Sequence, residues 1–150
     1  MKHVRTAAII THRNKILLHS NQGENYWTLP GGAVENELTK DGLKREMKEE
    51  LGEEVSIGDL KIVAENRFLY RGEEVDSIEF YYCVNLCPDS ELPELATFTK
   101  TEAFGQNEEM PYELNFKWIE LDKLDEITIL PPFLGVELKQ LAGKTIKHIE

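Results

Sequence analysis

The 150-residue chain sets 17 Lys plus Arg against 28 Asp plus Glu, a formal net charge of -11, and 41% of it is apolar. That length and apolar share fit one folded domain over residues 1–150, and the acidic balance argues against a nucleic-acid backbone or an anionic membrane surface as partner. No apolar run nears the roughly 20 residues of a membrane span, and the apolar stretch of MKHVRTAAII is too short for a secretory signal, so the expectation is a cytoplasmic protein. Any polyanionic substrate must arrive with metal ions.

In chain order, VRTAAIITHRNKILLHSN reads as a hairpin of two strands around a polar break at Arg13-Asn14. NYWTLPGG is a short extended piece stopped by Pro30 and the pair Gly31-Gly32, whose permissive backbone allows a tight turn or close approach of a ligand. TKDGLKREMKEELG reads as a helix with Thr39 as its cap, Asp41 in its first turn, Gly52 as its stop and an apolar stripe of Leu43, Met47 and Leu51. Gly42, inside that helix, costs roughly 1 kcal/mol relative to Ala and implies close packing or a frayed first turn.

EVSIGDLKIVAENRFLY and DSIEFYYCVNLC supply two further strands, with RGEEVD between them as a hairpin loop. PDSELPELATFTKTEAFGQNEEMPYE reads as a long acidic connection of the kind that forms lids or binding segments. LNFKWIELDKL is a strand running into a turn, and PPFLGVELKQLAG a C-terminal helix opened by Pro131-Pro132 and closed by Gly143. Cys83 and Cys87 lack a second pair to complete a zinc site, and the four histidines, at 3, 12, 19 and 148, have no ligand spacing.

The informative feature is electrostatic. Glu46, Glu49 and Glu50 share one helix, and at about 100° per residue they fall on a face beside the apolar stripe, toward the edge of whatever the helix packs on. Like charges three and four apart destabilise a helix by a few tenths of a kcal/mol per pair, so a compensating cation is implied. With Glu37 upstream the donor set is all oxygen, which selects a hard ion, Mg2+ or Mn2+. The alternative is a solvated helix laced with ion pairs, for which Arg45 and Glu49 have the spacing.

Gly31, five residues, Glu37, seven residues, Arg45-Glu46, Met47, Lys48, Glu49-Glu50, Leu51 and Gly52 resemble the Nudix box, and W-x-L-P-G-G leads into it. Two positions depart from the family pattern: the five-residue spacer counts from Gly31 where many members count it from the second glycine, so the loop to Glu37 is one residue short, and Glu53 stands where the family usually has an apolar residue. The resemblance implies a Nudix α/β/α sandwich with a mixed central β-sheet, and an enzyme that hydrolyses a nucleoside diphosphate linked to another moiety. It assigns metal binding to Glu46, Glu49 and Glu50, with Glu37 and Gly31 as further candidates, and gives Arg45 the task of orienting the box carboxylates. Glu37 either pairs with Arg45 or reaches the metal through water.

For the general base the resemblance offers a box glutamate, or a later loop glutamate for which Glu113 and Glu109 are candidates. Tyr26, Trp27, Phe68 and Tyr70 are aromatic side chains able to stack a base, although core packing is the commoner role for each. Tyr70 stands where diadenosine polyphosphate hydrolases carry a tyrosine, and Phe68 where ADP-ribose hydrolases carry a proline. A nucleoside triphosphate, a diadenosine polyphosphate and a nucleotide sugar all stay open as substrates, with a non-catalytic nucleotide-binding module as the other class. A homodimer is expected from family likeness alone.

Overall fold

The computed structural model describes residues 1–21, 23–102, 112–141, 143 and 145–150. Its elements in chain order are β1 (His3–Ile9), β2 (Thr11–His12), β3 (Lys15–Asn21), β4 (Gly31–Ala33), α1 (Thr39–Leu51), β5 (Val55–Tyr70), β6 (Glu73–Leu86), β7 (Thr97–Glu102), β8 (Tyr112–Glu120), α2 (Leu134–Glu137) and β9 (Lys147–Ile149). A mixed sheet runs β4-β1-β6-β5-β9, with β1 parallel to β6 and β9 parallel to β5; an antiparallel sheet runs β2-β3-β8-β7.

Strand alternation divides the core in two. Ala8 and Tyr82 turn to one side of the mixed sheet, where they meet Leu43, Met47 and Leu51 of α1 together with Phe116. Tyr81, Ile62 and Ala64 turn to the other, where Leu124, Leu134 and Leu138 cover them. The fold is a mixed α/β one whose second helical layer is slight: a 3-10 stretch at Leu121–Glu126 and the four-residue α2.

The helix expected over residues 39–51 is present, with its stripe fully buried and Gly52 closing it in the left-handed conformation at φ 75. Its cap differs. Leu38 holds the N-cap position without a side-chain bond, because the Thr39 hydroxyl shares a 2.7 Å hydrogen bond with Tyr82 instead.

Four other segments differ from the pattern expected of them. Arg13 and Asn14 do turn the chain, both with positive φ, but only β2 and β3 pair across them; β1 goes to the other sheet, so the expected hairpin is mostly a crossing between sheets. RGEEVD contracts to a turn at Arg71-Gly72, since Glu73 to Asp76 continue β6 and pair with β5. The long acidic connection contains a strand, β7, which its single inward aromatic, Phe98, fastens by stacking on Phe116 at 4.9 Å. The C-terminal helix shrinks to α2, and residues after Gly143 add β9 to the sheet edge.

His19 on β3 is buried beneath Phe116, whose ring it stacks on at 5.6 Å. Burial is the main cause that pushes its pKa down to about 4, with the Arg5 charge adding and a hydrogen bond to the Leu29 backbone opposing. The folded state therefore keeps this ring neutral while the unfolded chain binds a proton, so stability falls as pH drops from about 6.5 toward about 4. The expected loss is up to about 3 kcal/mol across that window. Urea unfolding followed from pH 7 to pH 4 (roughly the titration window) in wild type and His19→Gln checks it; an equal pH slope in both would remove His19 as the cause.

Candidate active site

The site is built where β4 meets α1. Backbone bonds from the Ala8 amide to the Pro30 carbonyl, at 2.8 Å, and from the Val34 amide to the Val4 carbonyl, at 2.9 Å, fix the register of Thr6 against Gly32. Bonded groups alternate along an antiparallel pair, so the N–H and C=O of Gly31 point away from β1, off the edge of the sheet. Gly31 tolerates no side chain, and one at Gly32 would displace the Glu46 carboxylate. A Cβ on Gly31 would run into the Thr6 carbonyl oxygen and the Ala7 backbone, and one on Gly32 would overlap the carboxylate of Glu46. The pair is therefore needed for close approach: one glycine to the neighbouring strand, the other to an acid on the helix.

Arg45 organises the carboxylates. Its Nη2 donates to Glu37 Oε1 at 2.6 Å and to the Ala33 carbonyl at 3.0 Å, and its Nε donates to both oxygens of Glu37, at 3.2 and 3.4 Å. Its Nη1 donates to Glu46 Oε1 at 3.0 Å and to Glu49 Oε1 at 3.4 Å. One planar fork thus ties the loop acid, the strand end and two helix acids together, which an ammonium group lacks the geometry to do. Gly42 belongs to the same arrangement, since a Cβ there would press on Glu37 Oε1 at 3.0 Å. That close packing accounts for a glycine inside the helix.

Glu46 and Glu50, one turn apart, are only 6% and 5% exposed, while Glu49 lies at the surface. Buried carboxylates on a face beside the core stripe depart from the solvated, ion-paired helix that composition alone allows. The hydrogen bond from Arg45 is the main cause that holds Glu37 below the usual carboxylate range, and Glu37 in turn raises the guanidinium pKa.

The remaining candidates are dispersed. Trp27 lies half-buried against the second core cluster, with Lys117 Nζ 4.3 Å from its ring centre and its amide bonded to Thr128. Phe68 and Tyr70 sit exposed near the tip of the β5–β6 hairpin, Arg71 stacking over Tyr70 at 5.1 Å. Tyr26 is half-buried, and burial, then the charges of Glu24 and Tyr70, raise its pKa. Glu113 is exposed on β8 opposite Thr101; Glu109 lies outside the described residues. Cys83 and Cys87 are both free thiols.

A grouping of three donors close enough to share an ion lies elsewhere among the described residues, at Glu65, His148 and Glu150 on the β5–β9 edge. All three are exposed, and Glu65 is already paired with Lys2 at 2.9 Å and His148 at 3.2 Å. A feature that sequence reasoning missed is a cleft lined by Arg5, Thr28, Gly31, Glu79, Tyr81 and Pro131. Its one legible signal is Glu79 in SIEFYY, an acid within a strand whose neighbours are apolar or aromatic.

Because the folded pKa of Glu37 lies below its unfolded value, the Arg45–Glu37 pair contributes stability above the ordinary carboxylate range and loses it as pH falls through the lowered pKa. Carbon-detected NMR titration of Glu37 should show its pKa rising toward the ordinary carboxylate range in Arg45→Ala. An unchanged Glu37 titration would mean that Arg45 is not what holds it.

Comparison with known proteins agrees with this geometry. A family model described as the NUDIX domain matches residues 1–135. The fold is similar to that of a MutT protein from Bacillus halodurans, with TM-score 0.64 and 19% identity over 97% of this chain and 89% of that one. It is similar to a UDP-X diphosphatase at TM-score 0.63 and 18% identity, covering 100% of this chain and 68% of the other. An ADP-ribose pyrophosphatase from Streptococcus suis matches at TM-score 0.59 and 18% identity over 100% of both chains. No curated protein matches. With the box glycines, Arg45 and its carboxylates set on a mixed sheet and matched by that family model, the chain belongs to the Nudix hydrolase family.

Proposed function

We propose that this protein is a divalent-metal-dependent pyrophosphohydrolase that cleaves a phosphoanhydride bond of a small nucleotide by attack of water at phosphorus. The observation that carries the reading is the Arg45 fork, which holds Glu37, Glu46 and Glu49 in one cluster, with the Glu46 carboxylate lying against Gly32. Such an arrangement concentrates negative charge beside a sheet edge, where a neutral solvated helix would disperse it.

The residues suit Mg2+ or Mn2+. Every available donor is a hard oxygen, two of the carboxylates are buried, and the cradle at Gly32 is filled by Glu46. Glu46, Glu49 and Glu50 would hold the ion, with the outward-facing Gly31 carbonyl as a further ligand. When bound, the metal supplies charge neutralisation for the diphosphate and lowers the pKa of a water. Arg45 keeps Glu46 and Glu49 oriented, and Glu37 serves mainly to fix the Arg45 plane, with contact to the metal through water as its remaining role. Glu113 is the proposed proton acceptor outside the box. Tyr26, Phe68 and Tyr70 would form an aromatic rim for the substrate, and Trp27 would support it from the core side.

The named activities of the structural neighbours, a UDP-X diphosphatase and an ADP-ribose pyrophosphatase, support diphosphate cleavage as the reaction class. A homodimer and a cytoplasmic setting complete the proposal, and no helix among the described residues is long and apolar enough to cross a membrane.

Glu49→Gln and Glu50→Gln each remove one negative charge without changing side-chain volume. Turnover should fall by about two or more orders of magnitude, with circular dichroism unchanged. Near-normal turnover in either variant would remove that carboxylate from the metal site.

A further inference from the structure

We infer that Glu79 and Arg5 form a base-reading pair that selects a guanine nucleotide, with its phosphates directed across the sheet edge to the box carboxylates. The inference rests on the pyrophosphohydrolase reading for the phosphate end and on the cleft alone for the base end.

The cleft lies on the face of the mixed sheet opposite α1. Arg5, Ala7, Glu79 and Tyr81 alternate with Thr6, Ala8, Phe80 and Tyr82, and the second set includes the residues that pack toward the helix. The two faces meet at β4: Gly31 lines the cleft, while Gly32, the next residue, abuts Glu46. A ligand in the cleft therefore reaches the strand edge whose next residue, Gly32, abuts the carboxylate cluster. A base held by the polar groups of the cleft and a diphosphate at the acidic cluster match the placement of the two on either side of β4.

Glu79 is 5% exposed yet lines the cleft. The Tyr81 hydroxyl donates to its Oε1 at 2.7 Å, and the Ser77 hydroxyl donates to its Oε2 at 2.9 Å. Burial, and then the Glu79 charge, raise the Tyr81 pKa, so this phenol stays protonated and remains a donor. Each carboxylate oxygen accepts two bonds, so one acceptor position is left on each of two adjacent oxygens. Among the common neutral bases only guanine offers two adjacent N–H donors on one edge, its N1–H and 2-amino group. Adenine and cytosine set an amino group beside an acceptor nitrogen, and uracil sets one N–H between two carbonyls; each would leave a buried carboxylate oxygen facing an acceptor.

Arg5 stands directly beside Glu79 across the β1–β6 register, on the same face. Its fork of donors suits guanine O6 and N7, the acceptors next to the donor edge that Glu79 takes. The two strands thus present an acceptor pair and a donor pair side by side, the complement of a guanine.

Equilibrium binding of GMP, AMP, CMP and UMP to the intact protein tests this without requiring turnover. The expected result is GMP bound about tenfold or more tightly than the others, with that preference lost in Glu79→Gln, which puts an amide donor where an acceptor stood. Arg5→Ala, at an exposed position, should reduce the GMP preference severalfold and serves if the buried substitution fails to fold. Equal binding of the four, or a GMP preference that survives both substitutions, overturns the assignment. Hydrolysis of the four triphosphates, the corresponding nucleotide sugars and dinucleoside polyphosphates with Mg2+, run in parallel, separates the two readings: guanine-selective binding without turnover of any of them would contradict the pyrophosphohydrolase and leave the base-reading pair standing.

Discussion

The structure around the site depends on one guanidinium. Arg45 is 28% exposed, and its donors go to Glu37, Glu46, Glu49 and the Ala33 carbonyl, so a single rigid plane joins the incoming loop, the edge strand and the helix. Carboxylates brought this close would otherwise repel one another at the boundary of a low-dielectric core. A partly buried arginine offsets that repulsion and also fixes direction, because its bonds leave in set angles. The carboxylates of the helix are therefore aimed before any ligand arrives, the condition under which electrostatic stabilisation is most effective.

Packing supplies what the guanidinium cannot. The stripe Leu43, Met47, Leu51 seats α1 on Ala8 and Tyr82, which sets the height of the helix over the sheet. The glycine pair sets the lateral distance, with Gly31 against Thr6 and Gly32 against Glu46. Thr39, pinned to Tyr82, sets where the helix begins. Between them these contacts place acids of one helix beside the peptide groups of the edge strand, so that the chemistry stands on two regular elements and one short loop.

Much of this was legible in the sequence because it is local. The apolar spacing of α1, its stop at Gly52 and the clustering of Glu46, Glu49 and Glu50 lie within one helix and follow from its period. What escaped was set by distant partners. Thr39 has the chemistry of a cap, yet Tyr82, far away in sequence, takes its hydroxyl. Strand β7 is polar except for Phe98, and only Phe116 on its neighbour gives that residue a reason to point inward. The C-terminal segment has helical spacing in Leu134 and Leu138, but Gly135 lies between them and the free edge of β5 is available to Lys147–Ile149, so sheet pairing ended what the pattern began. Glu79 could not be matched with Arg5 before the parallel register of β1 on β6 was known.

On the proposed reading the carboxylate cluster holds a divalent ion for phosphoanhydride cleavage. This is tested most directly by measuring phosphate and pyrophosphate release from nucleoside triphosphates, nucleotide sugars, ADP-ribose and diadenosine polyphosphates, each with Mg2+ and with chelator. Turnover of one substrate class that chelator abolishes and Mg2+ restores is the predicted result. Turnover that persists in chelator, or none with any of these substrates, would contradict it.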